Sequence, residues 1–448
     1  MNLPKRDKTG RILFTKTMKK THTILMPQML PVHFGLLKRC LELDGYKFEI
    51  LETTDRKIVE TGLKYVHNDT CYPALLVIGQ LICALQSGKY DLESTAVLLT
   101  QTGGGCRASN YINLLRKALK KAGLEHVPVV SLNLSGLEKN PGFKLKLKTV
   151  LRMVYGIMYG DILALLKNQV KPYEVEIGAT DEKVKFWQNE LLGQFARNKG
   201  FRAKSYAANL VDIVRDFATI PTVQIPKVKV GIVGEIYVKY APLGNNKLEE
   251  FLLAEGAEPV VPGLADFVLF KIDNRLEDGI LYGSNLLKKK IVGALKKYMI
   301  NRQFDMINAM KNNSKFRAPG DFESIKAKVS GLLGYGNKMG EGWLLTAEML
   351  ELIHEGVNNI VCTQPFGCLP NHIVGKGMIR AIKNLHPNSN IVSIDYDPGA
   401  TKINQENRIK LMLANAKLSE DLAESDAKIS QKEPKFNEIK PEKFTKIK

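Results

Sequence analysis

The chain is poor in cysteine and tryptophan, with six of the first and two of the second in 448 residues. No two cysteines form a Cys-x-x-Cys pair, which excludes the close-spaced frameworks typical of zinc ribbons and ferredoxin-type ligand runs. No run reaches the roughly 20 uninterrupted apolar residues of a spanning helix. The best candidate, Val150 to Leu166, is broken by Arg152 and Asp161. The first residues, Met1-Asn2-Leu3-Pro4-Lys5, carry no apolar core of a secretory signal, so a cytoplasmic setting with reduced thiols is expected. Acidic residues are also short, 46 against 65 Lys and Arg, for a formal charge of +19. That excess favours an anionic cofactor, nucleic acid or an acidic protein. The basic groups at Lys5 to Lys20, Lys144 to Lys148 and Lys288 to Lys297 accompany no aromatic RNA-binding motif and no DNA-reading helix, which disfavours nucleic acid.

What is present is an apolar content of 44%, enough for about two or three domains with real cores. From His22 to Leu132 short apolar runs alternate with helical periodicity, the pattern of a parallel doubly wound sheet. The expected strands are His22 to Met26, Tyr46 to Leu51, Ser94 to Thr100 and Val127 to Leu132. Residues 145–222 read as helical, and a second α/β lobe is expected over 223–415, with strands at Lys227 to Glu235, Glu258 to Val261, Asn358 to Thr363 and Asn390 to Ile394. Residues 416–448 are rich in Lys, Glu and Ser and read as a disordered tail. The expected architecture is therefore α/β, with an N-terminal lobe over 1–144 and a second lobe, joined by helical segments.

Three of the cysteines sit in loops of Gly, Pro and polar residues. They are Cys71 in Asp69-Thr-Cys-Tyr-Pro73, Cys106 in Gly103-Gly-Gly-Cys106-Arg107, and Cys368 in Gln364-Pro-Phe-Gly-Cys-Leu-Pro370. Cysteines that serve as small core residues occupy strands and helices, as Cys40, Cys83 and Cys362 do in this pattern. A loop at the carboxyl end of a strand lies where doubly wound sheets bind ligands, and Cys106 and Cys368 share that address. Three such loops could meet at one iron–sulfur cluster, with Gly103, Gly104 and Gly105 beside Cys106, and Gly367 beside Cys368, offering backbone N–H groups. Zinc is the rival metal, since His372 follows Cys368 by four residues, but the other two cysteines have no close partner. His372 is alternatively a proton donor or a plain helix-start residue. Glu235, after Gly231-Ile-Val-Gly234, and the Asp395/Asp397 pair are either acid–base groups or helix caps. The glycine-rich stretch Gly331 to Gly342 matches neither a phosphate-binding P-loop nor a dinucleotide fingerprint. It reads as a flexible loop before the helix Trp343 to Ile353, and ATP hydrolysis by this chain is not expected. No Ser-His-Asp order or Cys-His nucleophile signature is present.

Taken together, Asp69-Thr-Cys71-Tyr-Pro73, Gly105-Cys106-Arg107, Val230-Gly-Ile-Val-Gly-Glu235, Gly340-Glu-Gly-Trp-Leu-Leu345 and Gln364-Pro-Phe-Gly-Cys-Leu-Pro370 resemble the acyl-CoA dehydratase activase-related proteins. These are relatives of the catalytic subunits of 2-hydroxyacyl-CoA dehydratases and benzoyl-CoA reductases. The resemblance runs from about Lys19 to Met412. It implies two Rossmann-like lobes around an oxygen-sensitive cluster, most simply [4Fe–4S], held by Cys71, Cys106 and Cys368. It further implies low-potential electrons from a separate ATP-hydrolysing iron–sulfur activator protein, and an acyl-CoA whose thioester becomes a ketyl radical anion and expels its hydroxyl group. A homo- or heterodimer with a related subunit is the implied assembly, with no membrane partner. Some relatives carry double-cubane clusters and reduce small molecules, and a non-catalytic electron carrier or cluster-holding partner is a further alternative.

Overall fold

The computed structural model describes residues 5–67, 69–101, 104–133, 138–283 and 285–430, with side chains described through residue 418. Two four-stranded sheets, both wholly parallel, organise it. The first holds β1 (Thr23–Pro27), β2 (Lys47–Leu51), β3 (Thr95–Thr100) and β4 (Val129–Leu132) in the order β2-β1-β3-β4. The second holds β5 (Lys229–Gly234), β6 (Glu258–Val260), β7 (Asn359–Pro365) and β8 (Asn390–Tyr396) in the order β6-β5-β7-β8. The central strands are continuous apolar runs buried on both faces, as parallel sheets covered by helices require. In each sheet the chain moves outward from the two central strands in opposite directions. A crevice therefore opens between the carboxyl ends of β1 and β3, and a second between those of β5 and β7. Apolar side chains from both sheets, such as Val97 and Ile232, share one core.

Between β2 and β3 the chain forms two helices, Lys57–Tyr65 and Tyr72–Leu85. They cross with almost no gap: a Cβ on Gly62 would meet the Leu75 carbonyl oxygen at 2.4 Å, and one on Gly79 the Ile58 oxygen at 2.2 Å. Glycine at the crossing lets the backbones touch and fixes where the second helix, and the cysteine before it, begins. The first of these helices was not anticipated from the sequence pattern, nor was Leu264–Leu281. The expected helical region is Leu147–Val170, Ala179–Ala196 and Ala203–Phe217, packed in one core with Leu264–Leu281 and Leu286–Asn313 from beyond β6. The final helix, Lys402–Ser430, continues into the segment that its composition marked as a tail, and residues 431–448 lie outside the described residues.

One described helix, Leu147–Tyr173, is long and apolar enough to cross a membrane by length and composition alone. In this fold it is the central helix of the helical body, with Tyr155, Tyr159, Ile162 and Leu166 fully buried. Asp161, the one acidic residue within it, has a specific task. Its carboxylate accepts the backbone N–H groups of Leu264 and Ala265 at 2.7 and 2.8 Å and meets His33 Nε2 at 2.7 Å. It thus caps the helix Leu264–Leu281 from a distance of a hundred residues, satisfying donors that a helix start leaves unpaired. Asp161→Ala would strand those buried N–H groups, and we expect a loss of about 3 kcal/mol in urea unfolding. A small Gly263→Ala loss is excluded too, because the new Cβ would lie 2.8 Å from the Asp161 carboxyl.

Candidate metal centre

The three loop cysteines each immediately precede a helix. Cys71 starts Tyr72–Leu85, Cys106 starts the 3₁₀ turn Arg107–Asn110, and Cys368 starts Leu369–Val374. Pro73 and Pro370 stand in the first turn of their helices, where a missing N–H costs nothing. Cys71, Cys106 and Cys368 all line one cavity of about 450 Å³ between the two sheets. Backbone contacts hold the loops together. The Tyr72 N–H donates to the Phe366 carbonyl at 2.9 Å, joining the Cys71 loop to the Cys368 loop that follows β7 of the second sheet. Arg107 donates to the Asp69 carbonyl and so ties the Cys106 loop to the Cys71 loop.

Glu235 and Glu341 complete the wall. Glu235 ends β5 and caps the helix Ile236–Tyr240, accepting the Val238 N–H at 2.9 Å. Glu341 accepts the Ile236 N–H at 3.1 Å, so the two carboxyls flank one helix start. Lys271, on the helix Leu264–Leu281, donates to the Gly340 carbonyl and positions the loop that carries Glu341. The phenol oxygen of Tyr111 lies 2.8 Å from Cys71 Sγ.

Burial dominates the electrostatics. It pushes the Cys71 thiol up to about 11, partly opposed by the Tyr111 hydroxyl. Burial also raises Cys106, and it raises Cys368 with the added repulsion of Glu341 and Glu235. The N–H groups of Ala74, Ala108 and Asn371 at the adjoining helix starts favour each thiolate, but burial outweighs them. Burial likewise raises both carboxyls, and Glu341 raises Glu235 further. Lys271 is lowered by burial. The site therefore favours protonated thiols, and Glu235, pushed up to about 8, favours its protonated form at neutral pH.

Of the residues singled out from the sequence, Cys71, Cys106, Cys368, Gly105, Gly367 and Glu235 all line the cavity. His372 does not. On the helix Leu369–Val374, Leu369, Pro370, Ile373 and Val374 face the cavity and His372 is exposed on another side. Gly104 is exposed and nothing lies within 4 Å of its open Cβ position; its carbonyl accepts the Ser109 hydroxyl at 2.6 Å. Gly103 falls outside the described residues. Asp395 pairs with Lys376 at 3.1 Å and Asp397 closes its own turn onto Gly399 and Ala400, which are structural tasks. The sequence pattern did not single out Lys271, Glu341 or Tyr111. Glu341 and its flanking glycines read as a flexible loop, and Tyr111 and Lys271 have the spacing of ordinary helix residues.

Three thiols presented at helix starts around one cavity form a soft donor set, suited to iron–sulfur clusters, zinc or copper(I). Among the described residues no group of three or more His, Cys, Asp or Glu is drawn close enough to hold a single ion. A closed zinc site needs that convergence, whereas a cluster separates its thiolates by its own width and fits donors spread around a cavity. Compared with known proteins, the chain matches no protein-family model, and no curated protein is detectably similar to it in sequence. The class that fold and site define is thus an α/β protein with two parallel four-stranded sheets and a three-thiol cavity.

Gly367 and Gly105, two of the glycines that line the cavity, make a test of its geometry. Gly367 has φ +71°, and a Cβ there would lie 3.0 Å from the Cys71 Cα. At Gly105 the added Cβ would meet only the flexible end of Met339. Gly367→Ala should cost about 2 kcal/mol and sharply reduce bound metal, while Gly105→Ala should leave both nearer wild type. Equal effects in metal analysis and thermal unfolding would contradict the inter-lobe contact.

Proposed function

We propose that the chain is an iron–sulfur redox protein related to the 2-hydroxyacyl-CoA dehydratase subunits, with one cluster held by Cys71, Cys106 and Cys368. The observation that carries this reading is the convergence of three thiols from distant loops, with Glu235 and Glu341, on one cavity. The shared motif phrases and the paired parallel sheets support it. Bound there, a [4Fe–4S] cluster would supply single low-potential electrons, and three protein thiolates leave it one ligand short of full protein ligation.

The chain's own residues have separable tasks in this reading. Ile236, Phe267, Leu369 and Ile373 give the cavity apolar walls suited to a small acyl group and able to limit water. Burial raises both Glu235 and Glu341, and Glu235, pushed up to about 8, keeps a proton beside the cavity at neutral pH. They would deliver it to a departing hydroxyl or accept one from the substrate carbon, as general acid–base groups with tuned acidity do. Lys271 sets the Glu341 loop and offsets its charge. Electrons would come from a separate ATP-hydrolysing activator, and the acyl group from a CoA thioester undergoing radical dehydration or reduction. The open cavity favours a catalytic role over a carrier with a fully enclosed cluster.

Anaerobically purified protein should contain about four irons with matching acid-labile sulfide per chain. Cys71→Ala, Cys106→Ala and Cys368→Ala should each lose most of it, while Cys40→Ala, altering a buried thiol outside the cavity, should keep it. Zinc instead of iron, or iron unaffected by the three substitutions, would overturn the reading. Roughly eight irons would indicate the double-cubane type.

Loading should also depend on pH. Because burial favours the protonated thiols, cluster ligation must release protons, and retention strengthens as pH rises. Competition with an iron chelator should therefore strip the protein faster at about pH 6 than at about pH 8. The opposite order, with the fold intact by circular dichroism, would contradict thiolate ligation.

A further inference from the structure

Tyr111 lines the metal cavity, and its phenol oxygen lies 2.8 Å from Cys71 Sγ. Among the described residues no other side chain makes a hydrogen bond to any of the three loop sulfurs. Each sulfur otherwise has one backbone N–H at its own helix start, from Ala74, Ala108 and Asn371. The ligand set is therefore unequal. Cys71 has a second donor within reach, and Cys106 and Cys368 do not.

Packing aims the phenol at the sulfur. Tyr111 is the first residue of the helix Tyr111–Lys121, which follows the turn begun by Cys106. Ile112, Leu115 and Leu119 of that helix share a core with Leu75, Leu76 and Ile82 of the helix begun by Cys71, and the Tyr111 ring packs against the same core. Two packed helices thus fix the sulfur and the oxygen, and a tyrosine has only two side-chain torsions to set. With a protonated thiol either atom can donate. With a thiolate only the phenol can, because the sulfur then carries no hydrogen. Tyrosine keeps its proton to about pH 10, and burial pushes this one well above its ordinary value.

A hydrogen bond donated to a ligating thiolate draws charge from the sulfur, and it strengthens when an added electron makes that sulfur more negative. We propose that the Tyr111 hydroxyl donates to Cys71 once that sulfur is a thiolate ligand. Cys71 is then the least electron-rich of the three ligands, and the reduction potential of the group they hold is raised. The proposal rests on the redox reading above. Tyr111 acts through Cys71 and is a positioning residue.

Tyr111→Phe removes the oxygen and keeps the ring, so circular dichroism and iron content should match wild type. In the loaded full chain, titrated with dithionite and mediators, reduction should become about threefold to tenfold less favourable, a midpoint about 30 to 60 mV lower at about 59 mV per tenfold for one electron. Tyr65→Phe removes a phenol outside the cavity, bonded to Gln86, and should leave the midpoint unchanged. An unchanged or higher midpoint for Tyr111→Phe at equal iron content overturns the proposal. A second readout uses unloaded protein and iodoacetamide, with each cysteine followed by peptide mass spectrometry. Without its donor the Cys71 thiolate forms less readily, so its alkylation should slow by about threefold, a roughly tenfold smaller thiolate fraction being partly offset by greater nucleophilicity. Cys106 and Cys368 should react as in wild type. Equal slowing at all three cysteines, or none at Cys71, overturns the hydrogen bond. If wild type loads no iron, the cluster reading falls, and alkylation alone then decides for or against the Tyr111 donor.

Discussion

The close approach of the Phe366-Gly367-Cys368 turn to Cys71 is the constraint on which the site depends. Each cysteine stands at the start of a helix, Cys106 just after β3 of the first sheet and Cys368 just after β7 of the second. What makes them one site is the backbone bond from Tyr72 to Phe366 and the absence of a side chain at Gly367. A backbone hydrogen bond cannot be re-aimed by a rotamer change, so the separation of the two loops follows the relative placement of the two sheets. Loss of that placement would separate the thiols without altering any of them.

Buried ionic contacts hold the remaining walls. Asp161 fixes the start of the helix that brings Phe267 and Lys271 to the cavity. Lys239 pairs with Glu348 at 2.8 Å, both side chains almost fully buried. That pair joins the short helix begun by Glu235 to the helix that follows the Glu341 loop. Buried ion pairs add little net stability compared with apolar packing, yet breaking one is costly. Their use here is best understood as positional: each locks an element that carries a wall residue.

The sheets were legible because a strand buried on both faces must be a continuous apolar run, as Thr95–Thr100 and Asn359–Pro365 are. The cysteine loops were legible because Gly and Pro end such runs. Parallel topology then places those loops at the crevices. His372 was not legible in the same way, since its distance from the site depends on which side of a one-and-a-half-turn helix it occupies. Four residues of sequence separation from Cys368 suggest proximity, but the helix turns Ile373 and Val374 inward instead. Lys271 and Glu341 escaped notice for a different reason. A lysine on an amphipathic helix and a glutamate among glycines are usually solvated, and only tertiary packing reveals that both face one cavity.

The charge of that cavity explains why its parts belong together. Three thiols and two carboxyls surround it, against Lys271 and Arg107. All five acids cannot ionise at once in a buried space without a compensating cation; burial raises every one of them, and repulsion from neighbouring acids adds to the shift of the three thiols and of Glu235. A positively charged metal group reverses that balance by stabilising the thiolates directly. The carboxyls are not among its ligands, and each already accepts a backbone N–H, Glu235 from Val238 and Glu341 from Ile236. Loading would therefore deprotonate the sulfur ligands while leaving a proton on the carboxyl pair. One set of residues would then hold the electron-carrying group, and another would keep a proton beside it, which is the separation that coupled electron and proton chemistry requires.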